Sequence, residues 1–120
     1  MPDTQKDVHK KLLGKKGERL AEQYLKKQGY TLIKRNYKTP HGEADLVFSD
    51  GAEVVFVEVK TRTSGDFATA KQAVNAEKRA RYRKIALYYG KGTEPNARFD
   101  VVEIYATEDG YQINHLPSAF

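Results

Sequence analysis

Three charged side chains interrupt two apolar segments in the middle of the chain: Asp45, Glu58 and Lys60. Two carboxylates held close together in an apolar setting repel each other unless they are protonated or share a cation. Carboxylate oxygens prefer hard divalent ions such as Mg²⁺ or Mn²⁺, and an adjacent lysine can hold a negative group or an attacking water. The spacing D-x₁₂-E-x-K therefore predicts metal-assisted hydrolysis of a phosphodiester.

A predicted hairpin would bring these residues together. Its strands are residues 43–48 and 53–61, joined by the turn Ser49-Asp50-Gly51. Side chains alternate along a strand, so the glutamate and the lysine share one face about 7 Å apart. The turn would pair the aspartate with residues 55–57, within cross-strand or diagonal reach of the glutamate. Alternatively, the glutamate and lysine form a solvated ion pair on an edge strand and the aspartate is a surface acid. The uninterrupted apolar run before the glutamate favours a central strand, where a charge needs a partner.

The remaining chain predicts a mixed α/β domain, a central sheet flanked by helices. The predicted order is α-β-β-β-α-β-β, with helices at residues 9–28 and 68–90 and further strands at 30–39, 98–106 and 111–116. Because 120 residues make one ordinary domain, we expect residues 9–120 to form it and residues 1–8 to be a flexible tail.

Composition excludes several classes of function. The chain contains no cysteine, which excludes disulfides, thiolate nucleophiles and cysteine-based zinc sites. No stretch approaches the roughly 20 apolar residues needed to span a bilayer. The polar N-terminal residues lack the apolar region of a secretory signal. We therefore expect a cytoplasmic protein that does not enter membranes.

The distribution of charge suits a polyanionic partner. The net charge is +5, with Lys and Arg crowding residues 6–38 and 71–84, whereas residues 41–59 carry five acids and no Lys or Arg. Basic flanks around an acidic centre fit a nucleic acid whose reactive bond must meet a metal. Solvated, lysine-rich helix faces are the alternative explanation. The candidate nucleic-acid ligands are Lys15, Lys16, Arg62, Lys71, Gln72, Lys78, Arg79 and Arg81.

Several segments, in order, resemble a known family. They are GKKGERLAEQYLKKQGY, RNYKTPHGEADLV, VVFVEVKTR, AVNAEKRAR and RFDVV. The hairpin resembles the PD-(D/E)xK nuclease core of restriction-endonuclease-like folds and Holliday-junction resolvases. Over roughly residues 13–105 the chain resembles the YraN-like uncharacterised bacterial family UPF0102.

This resemblance implies a restriction-endonuclease-like fold and a nuclease that acts on DNA rather than RNA, with branched or structured DNA as a candidate substrate. It implies that Asp45 and Glu58 hold Mg²⁺ or Mn²⁺ and that Lys60 is catalytic. The backbone carbonyl of Val59 and the carboxylate of Glu18 would be further metal ligands. Without the resemblance, Glu18 is an ordinary helix-surface acid. Resolvases of this fold cut as dimers, so a homodimer is one assembly that the resemblance allows.

Two other functions stay open at this point. The chain could be a non-catalytic nucleic-acid-binding module that retains the nuclease fold. It could also be a structural domain in which the two acids merely pair with Lys60. The presence of all three charged residues favours the enzyme, because a decayed site commonly loses one of them.

Overall fold

A five-stranded sheet lies between two helices in the computed structural model, which describes residues 4–63, 76–92 and 95–119, with side chains from residue 14 onward. The elements are α1 (Thr4–Lys27), β1 (Thr31–Thr39), β2 (Gly42–Ser49), β3 (Val54–Thr63), α2 (Ala76–Tyr89), β4 (Ala97–Thr107) and β5 (Gly110–Leu116). Their order confirms the predicted α-β-β-β-α-β-β arrangement and is consistent with a restriction-endonuclease-like fold. The candidate residues Lys71 and Gln72 lie outside the described ranges.

The strands follow their chain order across the sheet, β1-β2-β3-β4-β5. Neighbouring strands are antiparallel except for β3 and β4, which run parallel. Parallel neighbours need a crossover connection, and α2 lies in that connection. Helix α2 lies on the sheet face opposite α1, and each helix covers one hydrophobic core.

Strand β3 is buried on both faces. Val55 and Val57 pack beneath α1 in a core with Ala21 and Leu25, here called the α1-side core. Phe56 points the other way, into the α2-side core formed with Val47, Tyr82 and Ile85. A strand buried on both faces carries an almost continuous apolar run, which explains the pattern before Glu58. The edge-strand alternative is therefore wrong, because β3 pairs with a neighbour on either side.

Helix α1 begins at Thr4, five residues before its predicted start at residue 9. The helical backbone continues through this polar segment because no Pro or Gly interrupts it before Gly14. Further along, Gly17 faces β3, and a Cβ atom built there would collide with the hydroxyl of Thr61. This glycine lets α1 approach the strand that carries the candidate site. Within the described residues, no helix is long and apolar enough to cross a membrane.

Candidate active site

The candidate site begins where the pairing of β2 with β3 ends. Leu46 and Val57 are the last paired residues of that ladder. Immediately beyond them, the Asp45 carboxylate accepts a hydrogen bond from the backbone N–H of Val59, with 2.8 Å between Oδ2 and the nitrogen. A side chain thus satisfies a buried backbone donor, and this contact fixes the carboxylate against β3.

At Asp45 the alternation of side chains along β2 is interrupted, so the residues before and after it point to unexpected faces of the sheet. Leu46 packs into the α1-side core, whereas Ala44 packs into the α2-side core. Residues two apart normally share one face of a strand, so the alternation is broken between them. β1 carries a matching irregularity at Asn36, whose φ is 50°. On either side of it, Arg35 contacts α1 and Tyr37 joins the α2-side core. The paired irregularities leave the aspartate within electrostatic reach of acids on both α1 and β3.

Glu58 is almost fully buried, with 8% of its surface exposed. It follows Phe56 by two residues, so it lies on the α2 side of the sheet. Its Oε1 atom lies 2.7 Å from Nζ of Lys78 on α2 and 3.4 Å from Nζ of Lys60. Burial lowers the pKa of Lys78, and the contact with Glu58 opposes that shift. The glutamate therefore has two ammonium partners, of which the lysine from α2 is the nearer.

Negative charge accumulates around Asp45. Burial raises its pKa, and the neighbouring carboxylates of Glu58 and Glu43 raise it further, against the effects of the Val59 N–H and Lys60. The pKa of Glu18 is raised by burial and then by Asp45 and Glu43. Acids from α1, β2 and β3 thus surround Asp45, and they act on the carboxyl groups of Asp45 and Glu18. Glu43 was not among the predicted site residues, although its place in the acidic stretch GEAD was a usable signal.

Asp45 and Glu58 are the residues that could hold a metal ion, with Glu18 approaching from α1. Mg²⁺ is commonly held by one or two carboxylates, with waters and substrate phosphates completing its octahedron. Two carboxylates on neighbouring strands fit that donor set. Within the described residues, no three His, Asp or Glu side chains converge into a preformed cage. Val59 directly follows Glu58 in β3, and its backbone N–H already donates to the Asp45 carboxylate.

The predicted nucleic-acid ligands are divided between the two helices. Lys15 and Lys16 are exposed on α1, and the ammonium of Lys16 lies 5.0 Å from the centre of the Tyr111 ring. Arg79 is exposed on α2. Arg81 is half-buried, because its aliphatic stem packs against Gly42 at the tip of the β1–β2 hairpin. The exposed cations lie on opposite sides of the sheet, flanking the carboxylates.

Two further predicted ligands are engaged within the protein. The guanidinium of Arg62 is nearly buried and lies 3.1 Å from the carboxylate of Glu103, itself completely buried on β4. That carboxylate also accepts hydrogen bonds from Tyr105 and Asn114. Lys78, as described, pairs with Glu58. The structure therefore places Arg62 in the sheet and Lys78 in the candidate site rather than on an open cationic face.

Replacing Asp45 with Asn should stabilise the metal-free protein at neutral pH. A raised carboxyl pKa means that folding favours the protonated form. Its stabilising contribution is complete below the unfolded pKa of about 4 and is lost as pH rises through the folded value. The amide stays neutral and can still accept from Val59. We expect a gain of roughly 1 kcal/mol in the free energy of unfolding at pH 7 that vanishes near pH 4. Denaturant titration with a chelator present measures it.

Asp50→Asn is the matched control, since the pKa of Asp50 is lowered by hydrogen bonds from the N–H groups of Glu53 and Ala52. A lowered pKa contributes stability above the unfolded value and loses it as pH falls through the folded value. This variant should therefore lose stability at pH 7. If Asp45→Asn also destabilises the protein at pH 7, the bond to Val59 outweighs the repulsion, and the carboxylate cluster is not strained.

Comparison with known proteins gives one consistent result. A family model described as "Uncharacterised protein family UPF0102" matches residues 17–104. A UPF0102 protein of Alkaliphilus oremlandii is 42% identical over 115 residues, covering 92% of this chain and 98% of that protein. One from Geobacter metallireducens is 42% identical over 94% of this chain and 95% of its own length. Another, from Syntrophomonas wolfei, is 44% identical over 90% and 96%, respectively.

Proposed function

Because the chain belongs to the uncharacterised protein family UPF0102, whose name assigns no activity, we propose a function from its own residues: a metal-dependent endonuclease that hydrolyses phosphodiester bonds in DNA. Mg²⁺ or Mn²⁺ would be its cofactor. Branched or otherwise structured DNA would be its substrate.

One arrangement supports this proposal above all others. Asp45 and Glu58 come from neighbouring strands, and burial together with the Glu58 carboxylate raises the pKa of Asp45. The ammonium of Lys60 lies 3.4 Å from Glu58. A buried carboxylate beside a second one costs stability, and Asp45 forms no ion pair within the described residues. Such a pair is useful when a cation joins it, and perturbed carboxylates beside a lysine are typical of catalytic sites.

Each residue would have a distinct role. Asp45 and Glu58 would hold the ion, and Glu18 would contribute from α1 together with the carbonyl of Val59. The bound ion would polarise a phosphoryl oxygen and lower the pKa of a water molecule. Lys60, with about a third of its side chain exposed, would place a positive charge beside the attacked phosphate. The Val59 N–H keeps the Asp45 carboxylate in a fixed orientation.

The cations around the site favour a nucleic acid as substrate. Lys15, Lys16 and Arg79 are exposed on the two helices that flank the carboxylates. Exposed Lys and Arg bind phosphates without reading sequence. A chain without cysteine suits the reducing cytoplasm, where chromosomal DNA would be accessible. Two copies of the chain could act together on the two strands of a branched molecule.

A non-catalytic nucleic-acid-binding module is the second candidate, and one contact favours it. Lys78 lies 2.7 Å from the Glu58 carboxylate, so a lysine already supplies the positive charge that a metal would otherwise bring. In this alternative, Glu58 and Lys78 form a structural ion pair that joins β3 to α2. The cationic helices would then bind DNA without cutting it.

The purified protein should bind DNA with an affinity that falls at least tens-fold between about 50 and 200 mM salt. It should also cut DNA when Mg²⁺ or Mn²⁺ is supplied. Duplex, nicked, flapped and four-way DNA, each assayed with and without metal, would reveal the preferred structure. If the protein binds these DNAs tightly but cuts none of them, the binding-module hypothesis replaces the nuclease hypothesis. A flat salt profile or no binding at low salt would exclude both.

A further inference from the structure

A groove between α1 and β1 lies beside the candidate site, and the proposed function gives a role to Lys15 and Glu18 in its lining but not to the cavity itself. Its volume is about 350 Å³. The lining side chains are mostly polar or charged: Lys15, Glu18, Arg19, Glu22, Arg35 and Asn36, with Leu46 as the apolar contribution. A cavity of this size is at the lower end of the roughly 300–1,000 Å³ typical of small-ligand sites. It can hold one nucleotide but not a duplex.

The helix presents this charged surface because of its sequence periodicity. Lys15, Glu18, Arg19 and Glu22 recur at the spacing that places residues on one helix face. The core-facing stripe is a different one and includes Ala21 and Leu25. The charged stripe faces β1 across the groove, where Lys15 and Arg19 are exposed. Glu22 is buried where it pairs with Arg35.

The charges in the groove are unevenly compensated. Glu22 accepts hydrogen bonds from Arg35 and from Lys26, and these contacts lower its pKa to about 2. The Arg35 guanidinium is therefore already paired with the Glu22 carboxylate. Lys15 and Arg19 form no ion pair within the described part of the chain, and Glu18 is the single acid left opposite them. Because Lys15 also acts on the Glu18 carboxylate, Lys15 and Arg19 together leave one positive charge in excess, which an anionic ligand would neutralise.

The groove adjoins the carboxylates that would perform hydrolysis. Glu18 lines it and is also close enough to Asp45 for each charge to affect the other. Leu46, which lines the groove, directly follows Asp45 in β2. The backbone of Asn36 is in the left-handed region, with φ 50°, a conformation that asparagine tolerates better than most residues. Its amide, which can donate and accept hydrogen bonds, also lines the groove.

We propose that this groove holds one unpaired nucleotide next to the cleaved bond, with its phosphate between Lys15 and Arg19. Asn36 would hydrogen-bond to the base or sugar. The proposal rests on the proposed function for the identity of the ligand as DNA, but it concerns binding alone. It narrows the substrate class to DNA with a single-stranded or splayed segment at the cut.

The test compares three charge-neutralising variants, Lys15→Gln, Arg19→Gln and the control Lys27→Gln. Lys27 is exposed on the same helix but does not line the groove. Binding of a fluorescein-labelled single-stranded oligonucleotide and of its blunt duplex is followed by anisotropy, with a chelator present so that nothing is cut. Exposed substitutions of this kind change stability little, so loss of fold will not confuse the result.

The wild type should bind the single strand more tightly than the blunt duplex. Lys15→Gln and Arg19→Gln should each weaken single-strand binding several-fold and reduce its salt slope by about one, with a smaller effect on the duplex and none for Lys27→Gln. The proposal that the groove binds an unpaired nucleotide would be overturned by equal losses of affinity for both DNAs, or by losses no larger than that of Lys27→Gln. The two groove variants could lose single-strand binding as expected while the metal-loaded wild type cuts no DNA. That result would support nucleotide binding in the groove and contradict the proposed nuclease activity.

Discussion

Replacing Glu58 with Ala should abolish Mg²⁺-dependent cleavage of DNA while leaving DNA binding intact or stronger. Glu58 is 8% exposed and is one of the two proposed metal ligands. Metal stabilisation of charge in a transition state is worth several kcal/mol, so its loss should lower the rate by about 10³-fold or more. Binding survives because removing a carboxylate also removes repulsion of phosphate. Single-turnover cleavage and anisotropy, measured on one preparation, separate the two effects.

Glu53→Ala provides the matched control for this experiment. Glu53 immediately precedes β3, at the opposite end of the strand from Lys60, and its removal changes the net charge by the same amount. It should cut DNA at the wild-type rate. Equal residual cutting by wild type and Glu58→Ala would identify the activity as a contaminant. If both variants lose activity to the same extent, the loss reflects net charge rather than a metal ligand.

The order of the elements could be predicted from sequence because each carries a local pattern. The apolar run Val54–Val57 identified a strand buried on both faces, and the structure places β3 inside the sheet. Helix boundaries were harder to predict. Helix α1 starts at Thr4 because polar helix formers continue a helix as readily as apolar ones. The spacing of apolar residues, from which the helix was predicted, does not detect such a polar segment.

The register at the site could be predicted only approximately. The turn was expected at residues 49–51, but Asp50 accepts hydrogen bonds from the N–H groups of Ala52 and Glu53, which extends the turn to the start of β3. Leu46 consequently pairs with Val57, and the aspartate approaches Val59 rather than residues 55–57. A side chain that replaces a backbone partner leaves no periodic signal in the sequence.

Contacts between segments distant in the chain could not be predicted from the sequence. Asp100 is fully buried and is held by Arg98, His115 and the backbone N–H of Ser118. No local pattern around His115 indicates that it packs inward, because its partner Asp100 lies on another strand. Lys78 is a similar case: its position in a basic helix suggested phosphate binding, whereas tertiary packing turns it toward Glu58. Charge patterns locate cations along the chain but do not identify their partners.

Lys60→Ala should lower the single-turnover rate of cleavage by about 10²-fold at saturating Mg²⁺, the usual effect of losing one preorganised electrostatic group. The side chain is 36% exposed, and its ammonium lies 3.4 Å from Glu58, so it can reach both the carboxylate and an arriving phosphate. DNA affinity should change little, because one cation among many is removed. Lys27→Ala, which removes an equal charge far along α1, should cut normally.

Lys78→Met separates the two lysines at Glu58. Lys78 is nearer, at 2.7 Å, and more buried, with 18% of its side chain exposed, and burial lowers its pKa. It would therefore compete with a metal for the carboxylate, whereas Lys60 is the lysine proposed to meet the phosphate. Lys78→Met should lower the Mg²⁺ concentration needed for half-maximal rate and leave the saturating rate largely unchanged. Lys60→Ala should instead lower the saturating rate and leave the Mg²⁺ concentration needed for half-maximal rate largely unchanged. If Lys78→Met instead loses the saturating rate while Lys60→Ala retains it, then the lysine from α2 is the catalytic one, and the D-x₁₂-E-x-K pattern has misidentified the group that meets the phosphate.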